Sequence, residues 1–123
     1  MESLSTAAQL FLDVGDGSQA AWCKCAAGDI HRRLSKYDQA ETLLNEAQNM
    51  YQKLGNDLGG ALCRLILGDL MRMKHDFCAA IDHFFAARQT FIAVSETFQA
   101  SQCTRLLGLV SSIRPIWNLQ KLN

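Results

Sequence analysis

The chain has 123 residues, 49% hydrophobic and 20% charged, which suits one globular domain and argues against disorder. Twelve Lys and Arg balance twelve Asp and Glu, so there is no basic excess of the kind that nucleic acid or an anionic membrane surface demands. No apolar run approaches the roughly 18 residues of a membrane span, and the opening MESLSTAAQLFLDVGDG lacks a basic lead and carries Asp13 and Asp16, unlike a secretory signal. A soluble, cytoplasmic chain is expected. With Pro115 as its one proline and Ala, Leu, Gln and Met in abundance, it reads as all-α.

In chain order, a helical half-unit at about 4–13 comes first, followed by helices at about 18–34, 37–53, 58–73, 77–93 and 98–112. Asp16, Asp57 and either Ser95 or Thr97 are the expected N-caps, and Ser35 with Asp38 resembles a capping box. Short connections require consecutive helices to pack antiparallel. Pro115 is expected to stop the last helix, leaving Ile116, Trp117, Leu119 and Leu122 in a tail at 113–123.

Shifted by 40 residues, the sequence lies on itself. Cys23, Cys63 and Cys103 coincide, as do Gly28, Gly68 and Gly108. Ala40 falls on Ala80, Leu44 on Phe84, and Phe11, Tyr51 and Phe91 form an aromatic column preceding Val14, Leu54 and Val94. The period divides the chain into a half-repeat at 1–13, repeats at 14–53 and 54–93, and a partial repeat at 94–112. A mid-helix glycine costs about 1 kcal/mol relative to Ala, so three in register imply a shared need for close helix approach, with Leu44 and Phe84 filling the space beside them. Phe84, Phe85, Phe91, Tyr51 and Phe11 are all expected to stack in the core.

Leu67-Gly68 followed by Ala80, Phe84 and Ala87, and Ala27-Gly28 followed by Ala40, Leu44 and Ala47, resemble the core of a tetratricopeptide repeat. The departures are Lys24 and Arg64 at the usual first-helix aromatic, His31 and Met71 at the usual Tyr, and a period of 40 in place of 34. The longer period and the LGND linker are similar to the repeats of G-protein-signalling-modulator spindle adaptors and of solenoid tails on some nucleotide-binding signalling proteins. The resemblance implies a right-handed superhelical stack of antiparallel hairpins, about six helices in all, and a non-enzymatic protein-binding module without cofactor.

Chemistry-bearing residues point the same way. Five cysteines without a signal peptide read as reduced thiols, and Cys23 and Cys25 point to different sides of a helix, which disfavours a shared metal ion. Cys78 and His83 are five apart, a poor spacing for a base and its thiolate. Gly59-Gly60 lacks the Gly-Lys-Ser/Thr context of a phosphate loop.

The resemblance implies a concave groove lined by the first helix of each repeat. Offsets from the repeat glycine that keep one face place Trp22, Leu62 and Gln102 at −6, Cys25, Leu65 and Arg105 at −3, and Ile66 and Leu106 at −2. Asp29, Asp69 and Leu109 follow at +1, Arg32 and Arg72 at +4, and Arg33 and Met73 at +5. Chaperone-tail-binding relatives hold a terminal carboxylate with Lys and Asn on these helices. Asp29 and Asp69 oppose such a ligand, so the expected partner is a peptide with basic and apolar side chains. The alternative role is a structural or oligomerisation segment of a longer or self-associating helical solenoid, with a homodimer through incomplete terminal repeats as one form of it.

Overall fold

The structure, a computed structural model, describes residues 4, 6, 7, 9, 10 and 15–122, with side chains described as far as 110. Five bounded helices span Gly17–Arg33 (α1), Tyr37–Leu54 (α2), Asp57–Met73 (α3), Phe77–Ala93 (α4) and Thr97–Leu122 (α5). Leu4, Thr6, Ala7, Gln9 and Leu10 are helical too, where the sequence places the opening half-unit. The expectations for Phe11 and Val14 lie outside the described residues, as do those for the side chains of Ile116, Trp117, Leu119 and Leu122.

Every turn is built the same way. Residues with positive φ occur at Gly15, Ser35, Gly55, His75 and Ser95, one every 20 positions, with φ between 62° and 80°. At the last four, that residue's N–H bonds the carbonyl three back, as from Ser35 to Arg32 and His75 to Arg72. The next residue's N–H reaches five back, as from Lys36 to His31 and Asp76 to Met71, at 2.9 and 2.8 Å. This is the Schellman closure, which satisfies the last carbonyls of one helix. The next helix begins at once: the carbonyls of Asp16, Lys36, Asn56, Asp76 and Glu96 accept its first bonds.

The same periodicity corrects the expected caps. Asp16 caps α1 as expected, accepting from Gln19 N–H. Asn56, one residue before the expected Asp57, caps α3 by accepting from Gly59 N–H, and Asp76 caps α4. Ser35 and Ser95 occupy the left-handed turn position, so neither can cap; Lys36 takes the N-cap place of α2 without a side-chain bond. Thr97 is already the first residue of α5.

Position 115 continues the series of turn residues, and there it holds proline. Proline has no N–H for the closure and its ring fixes φ near −65°, so the left-handed turn is forbidden twice over. Inside a helix, proline forfeits one hydrogen bond and crowds one carbonyl. The chain takes that course: α5 continues through Pro115 to Leu122, against the expectation that proline would end it.

Packing follows the repeat. α1 packs chiefly on α2, α3 on α4, α2 on α3 and α4 on α5, with lighter contact between α1 and α3 and between α3 and α5. Ala40, Ala80, Leu44, Phe84, Ala47 and Ala87 are all fully buried, as the column pattern predicts. A Cβ on Gly28 would lie 2.7 Å from Leu44 Cγ, and one on Gly68 would lie 2.6 Å from Phe84 Cε1. These glycines are the sockets for those side chains. Gly59 is a third socket, unmarked by the 40-residue columns, and receives the Tyr51 ring. Gly108 differs: among the described residues nothing lies within 4 Å of its would-be Cβ. Phe91 and Tyr51 are buried as expected, whereas Phe85 points outward and is 51% exposed. Phe84 faces inward, so Phe85 lies about 100° round α4 from it, on the outer side.

The three repeat glycines therefore respond differently to alanine. Gly28→Ala and Gly68→Ala are expected to lose about 1–2 kcal/mol, the overpacking cost outweighing the gain in helix propensity. Gly108→Ala is expected to gain up to about 1 kcal/mol. Urea unfolding of the three variants against the parent chain measures both signs.

Candidate functional site: the groove across the first helices

A cavity of about 430 Å³ crosses α1, α3 and α5. Leu65 and Ile66 of α3 and Leu106 and Leu109 of α5 supply its apolar part, and Asp29, Arg32, Arg33, Asp69, Arg72, Gln102 and Arg105 supply its polar part. These residues converge because the repeat brings equal offsets from successive glycines onto one side of the stack. Eleven of the fifteen residues expected on the groove face line it.

Four expected lining residues lie elsewhere. Cys25 is buried in the core with Cys63, Ala21 and Leu44. Its short side chain turns between α1 and α3, where the equivalent Leu65 reaches the cavity. Leu62 packs, partly buried, on the cluster of Ala61, Phe91 and Cys103. Trp22 is 56% exposed and outside the cavity. Met73 stands beside it, its sulfur 3.6 Å from Arg32 Nη1.

The carboxylates are not free. Arg32 grips Asp29 Oδ1 through Nε and Nη2 at 2.9 and 2.7 Å, and reaches across with Nη1 to Asp69 Oδ2 at 2.5 Å. Arg72 grips Asp69 Oδ1 through Nε and Nη2 at 2.9 and 2.6 Å, and Arg33 lies 3.3 Å from Asp29 Oδ2. The result is one chain of alternating charge, Arg33–Asp29–Arg32–Asp69–Arg72, tying α1 to α3. The pairs within a helix follow from spacings of three and four residues, which stack side chains on one face. Arg32 and Asp69 are only 17% and 20% exposed, so their bond is better shielded than a surface pair. Both aspartates being occupied removes the electrostatic ground for a basic partner. Four arginines against two aspartates leave the cavity with a positive surplus.

The thiols serve packing. Cys23, Cys63 and Cys103 are buried, as their column predicts, and Cys25 with them; Cys78 is exposed. A hydrogen bond from Cys63 holds the Cys25 thiol below its ordinary pKa, while that bond and burial push Cys63 well up. Burial raises the Cys103 thiol and takes the Tyr51 hydroxyl up to about 12. Burial, with the Arg64 charge, lowers the His83 imidazole, whose Nδ1 has no hydrogen-bond partner among the described residues. Among the described residues, no group of three or more His, Cys, Asp or Glu could hold a metal ion, and no helix is long and apolar enough to cross a membrane.

A stack of helix hairpins with small-residue sockets and a groove across its first helices defines a helical repeat protein. The tetratricopeptide repeat family model matches residues 19–91, from α1 to near the end of α4, and the chain belongs to that family. Its members are in general protein-interaction modules rather than enzymes. No curated protein and no solved structure matches the chain.

Two outcomes follow from this geometry. Asp69→Ala strips a partner from both Arg32 and Arg72 and is expected to cost about 1–3 kcal/mol, more than Asp29→Ala, whose bonds stay within α1. Chemical unfolding of the two variants compares them. A thiol-alkylating reagent is expected to modify Cys78 in the native protein and the other four cysteines only after unfolding, as read by intact mass.

Proposed function

We propose that this protein is a non-enzymatic interaction module whose groove holds an extended or helical peptide of another protein. The observation that carries this reading is the composition of the cavity: an apolar strip of Leu65, Ile66, Leu106 and Leu109 beside arginines in excess of aspartates. Apolar side chains of a partner would bury against the strip, and its carboxylates would meet Arg72 and Arg105 on the rim. Arg72 retains N–H capacity beyond Asp69, and no ion pair is formed by Arg105 among the described residues. The partner is therefore acidic and apolar, the reverse of the charge that free aspartates would select. The five free thiols fit a reducing compartment, and the cytoplasm is part of this reading.

A displayed library of random peptides selected on the 123-residue chain tests it. Enriched sequences are expected to combine Leu, Ile or Phe with Asp or Glu. Arg105→Glu, on an exposed position, is expected to weaken them by about 1 kcal/mol, close to fivefold, as measured by fluorescence anisotropy. Enrichment of basic peptides, or unchanged affinity in a folded Arg105→Glu protein, overturns the reading.

A second reading, self-association through the open face of α5, is favoured by one observation: the empty space above Gly108 among the described residues.

A further inference from the structure

The contact that closes each hairpin is formed twice within the chain and left open a third time. Leu44 fills the socket at Gly28 and Phe84 the socket at Gly68, but Gly108 is exposed and its socket is empty. The neighbouring positions agree. Ala21 and Ala61 are buried under the following helix, whereas Ser101, their equivalent on α5, is exposed. Beside α3, a groove of about 360 Å³ has one wall from α2 and another from Ala86, Gln89 and Thr90 of α4. Its counterpart one repeat on, a cavity of about 320 Å³, is bounded by Arg88, Ile92, Ala100, Ser101 and Thr104 and has no such far wall. Pro115 prevents the chain from supplying that wall at the expected place, since the left-handed turn cannot form there.

The missing shape is present elsewhere in the same sequence. The amino-terminal half-unit carries Leu4 at the position of Leu44 and Phe84, and Ala7 at the position of Ala47 and Ala87. Those four counterparts are fully buried between two first helices, but Leu4 and Ala7 are only half-buried. Thr6 and Leu10 of the half-unit fall at the positions of Ala86 and Thr90, the far wall that the last cavity lacks, and both are exposed. The knob lies before α1 and the socket on α5, with α1 to α4 between them along the chain.

We propose that the open face of α5 receives the amino-terminal helical segment of a second copy of this chain, so that copies stack head to tail. Leu4 enters the socket above Gly108, Ala7 allows the two helices to approach closely, and Leu10 closes the cavity beside Ile92. The interface continues the hairpin contact already formed at Gly28 and Gly68. It joins two different surfaces, so each added copy offers a fresh socket and the assembly stays open-ended unless its rotation closes a ring. The proposal rests on the self-association reading and adds to it the identity of the occupant.

Sedimentation velocity and light scattering of the 123-residue chain over a wide concentration range test it. The expected result is a mass that rises past the dimer. Gly108→Phe fills the socket from within, in space that is open, and Leu4→Glu disables the knob. Each is expected to raise the dissociation constant at least tenfold with the helical circular dichroism spectrum retained. Mixing the two variants is the decisive arm: Gly108→Phe still offers a knob and Leu4→Glu still offers a socket, so they are expected to form a one-to-one dimer that grows no further. A mass that plateaus at a dimer, abolished by Gly108→Phe and indifferent to Leu4→Glu, refutes the occupant while leaving self-association standing. A monomer at every concentration refutes both. If Leu4→Glu unfolds the chain, Leu10→Glu, at an exposed wall position, replaces it in each arm.

Discussion

A left-handed residue every 20 positions is the constraint on which the rest of this structure depends. The last four such residues each close one helix, and all five place the next N-cap immediately after them, so α1 to α4 have 17 or 18 residues and reverse direction at every step. Equal lengths keep the repeat positions in phase. Gly28 therefore meets Leu44, and Gly68 meets Phe84, at the same height in successive hairpins. Ser35, His75 and Ser95 hold this conformation without being glycine, which costs of order 1 kcal/mol each. Pro115 is the one member of the series that cannot comply, and the architecture changes character there.

The groove illustrates how a polar pattern read as a recognition surface can be largely internal. Asp29 and Asp69 have partners within their own helix and, through Arg32, across to the next first helix. First helices touch one another only lightly, so Arg32–Asp69 supplies a directional tie where apolar contact is thin. The same bonds consume the negative charge on the concave side. What faces a partner is the remainder: apolar side chains and the arginine surplus.

Much of the fold was legible because the repeat repeats its reasons. A small residue must lie opposite a large one, so the columns of Gly28 with Leu44 and Gly68 with Phe84 announce helix contacts without further information. The turn conformations were not legible, since Ser35 and His75 carry no left-handed signature and Ser35 looks like an ordinary cap. Pro115 is costly inside a helix but is forbidden in the left-handed turn that would end one, and only the 20-residue series of turns reveals the second cost. In the groove, a 3.6-residue period named most of the lining but could not say which polar groups were already spoken for. The spacing of Asp69 and Arg72 held that information locally; the bond from Arg32 to Asp69 depends on how two first helices lie together. Cys25 was misplaced for a related reason, as side-chain length decides whether that position reaches the cavity or the neighbouring helix.

The open socket at Gly108 bears on how the molecule comes apart. In a stack where helices touch mainly their neighbours, stability is divided among interfaces rather than held by one centre. α1 to α4 are each clasped through paired hairpins, whereas α5 has α4 along one side and nothing in its glycine socket. Opening should start at α5 and travel inward, giving amide protons of Thr97–Val110 the fastest exchange among the bounded helices and those of α3 the slowest. The loss of structure is then graded from one end, and a single unfolding free energy describes only the interior hairpins.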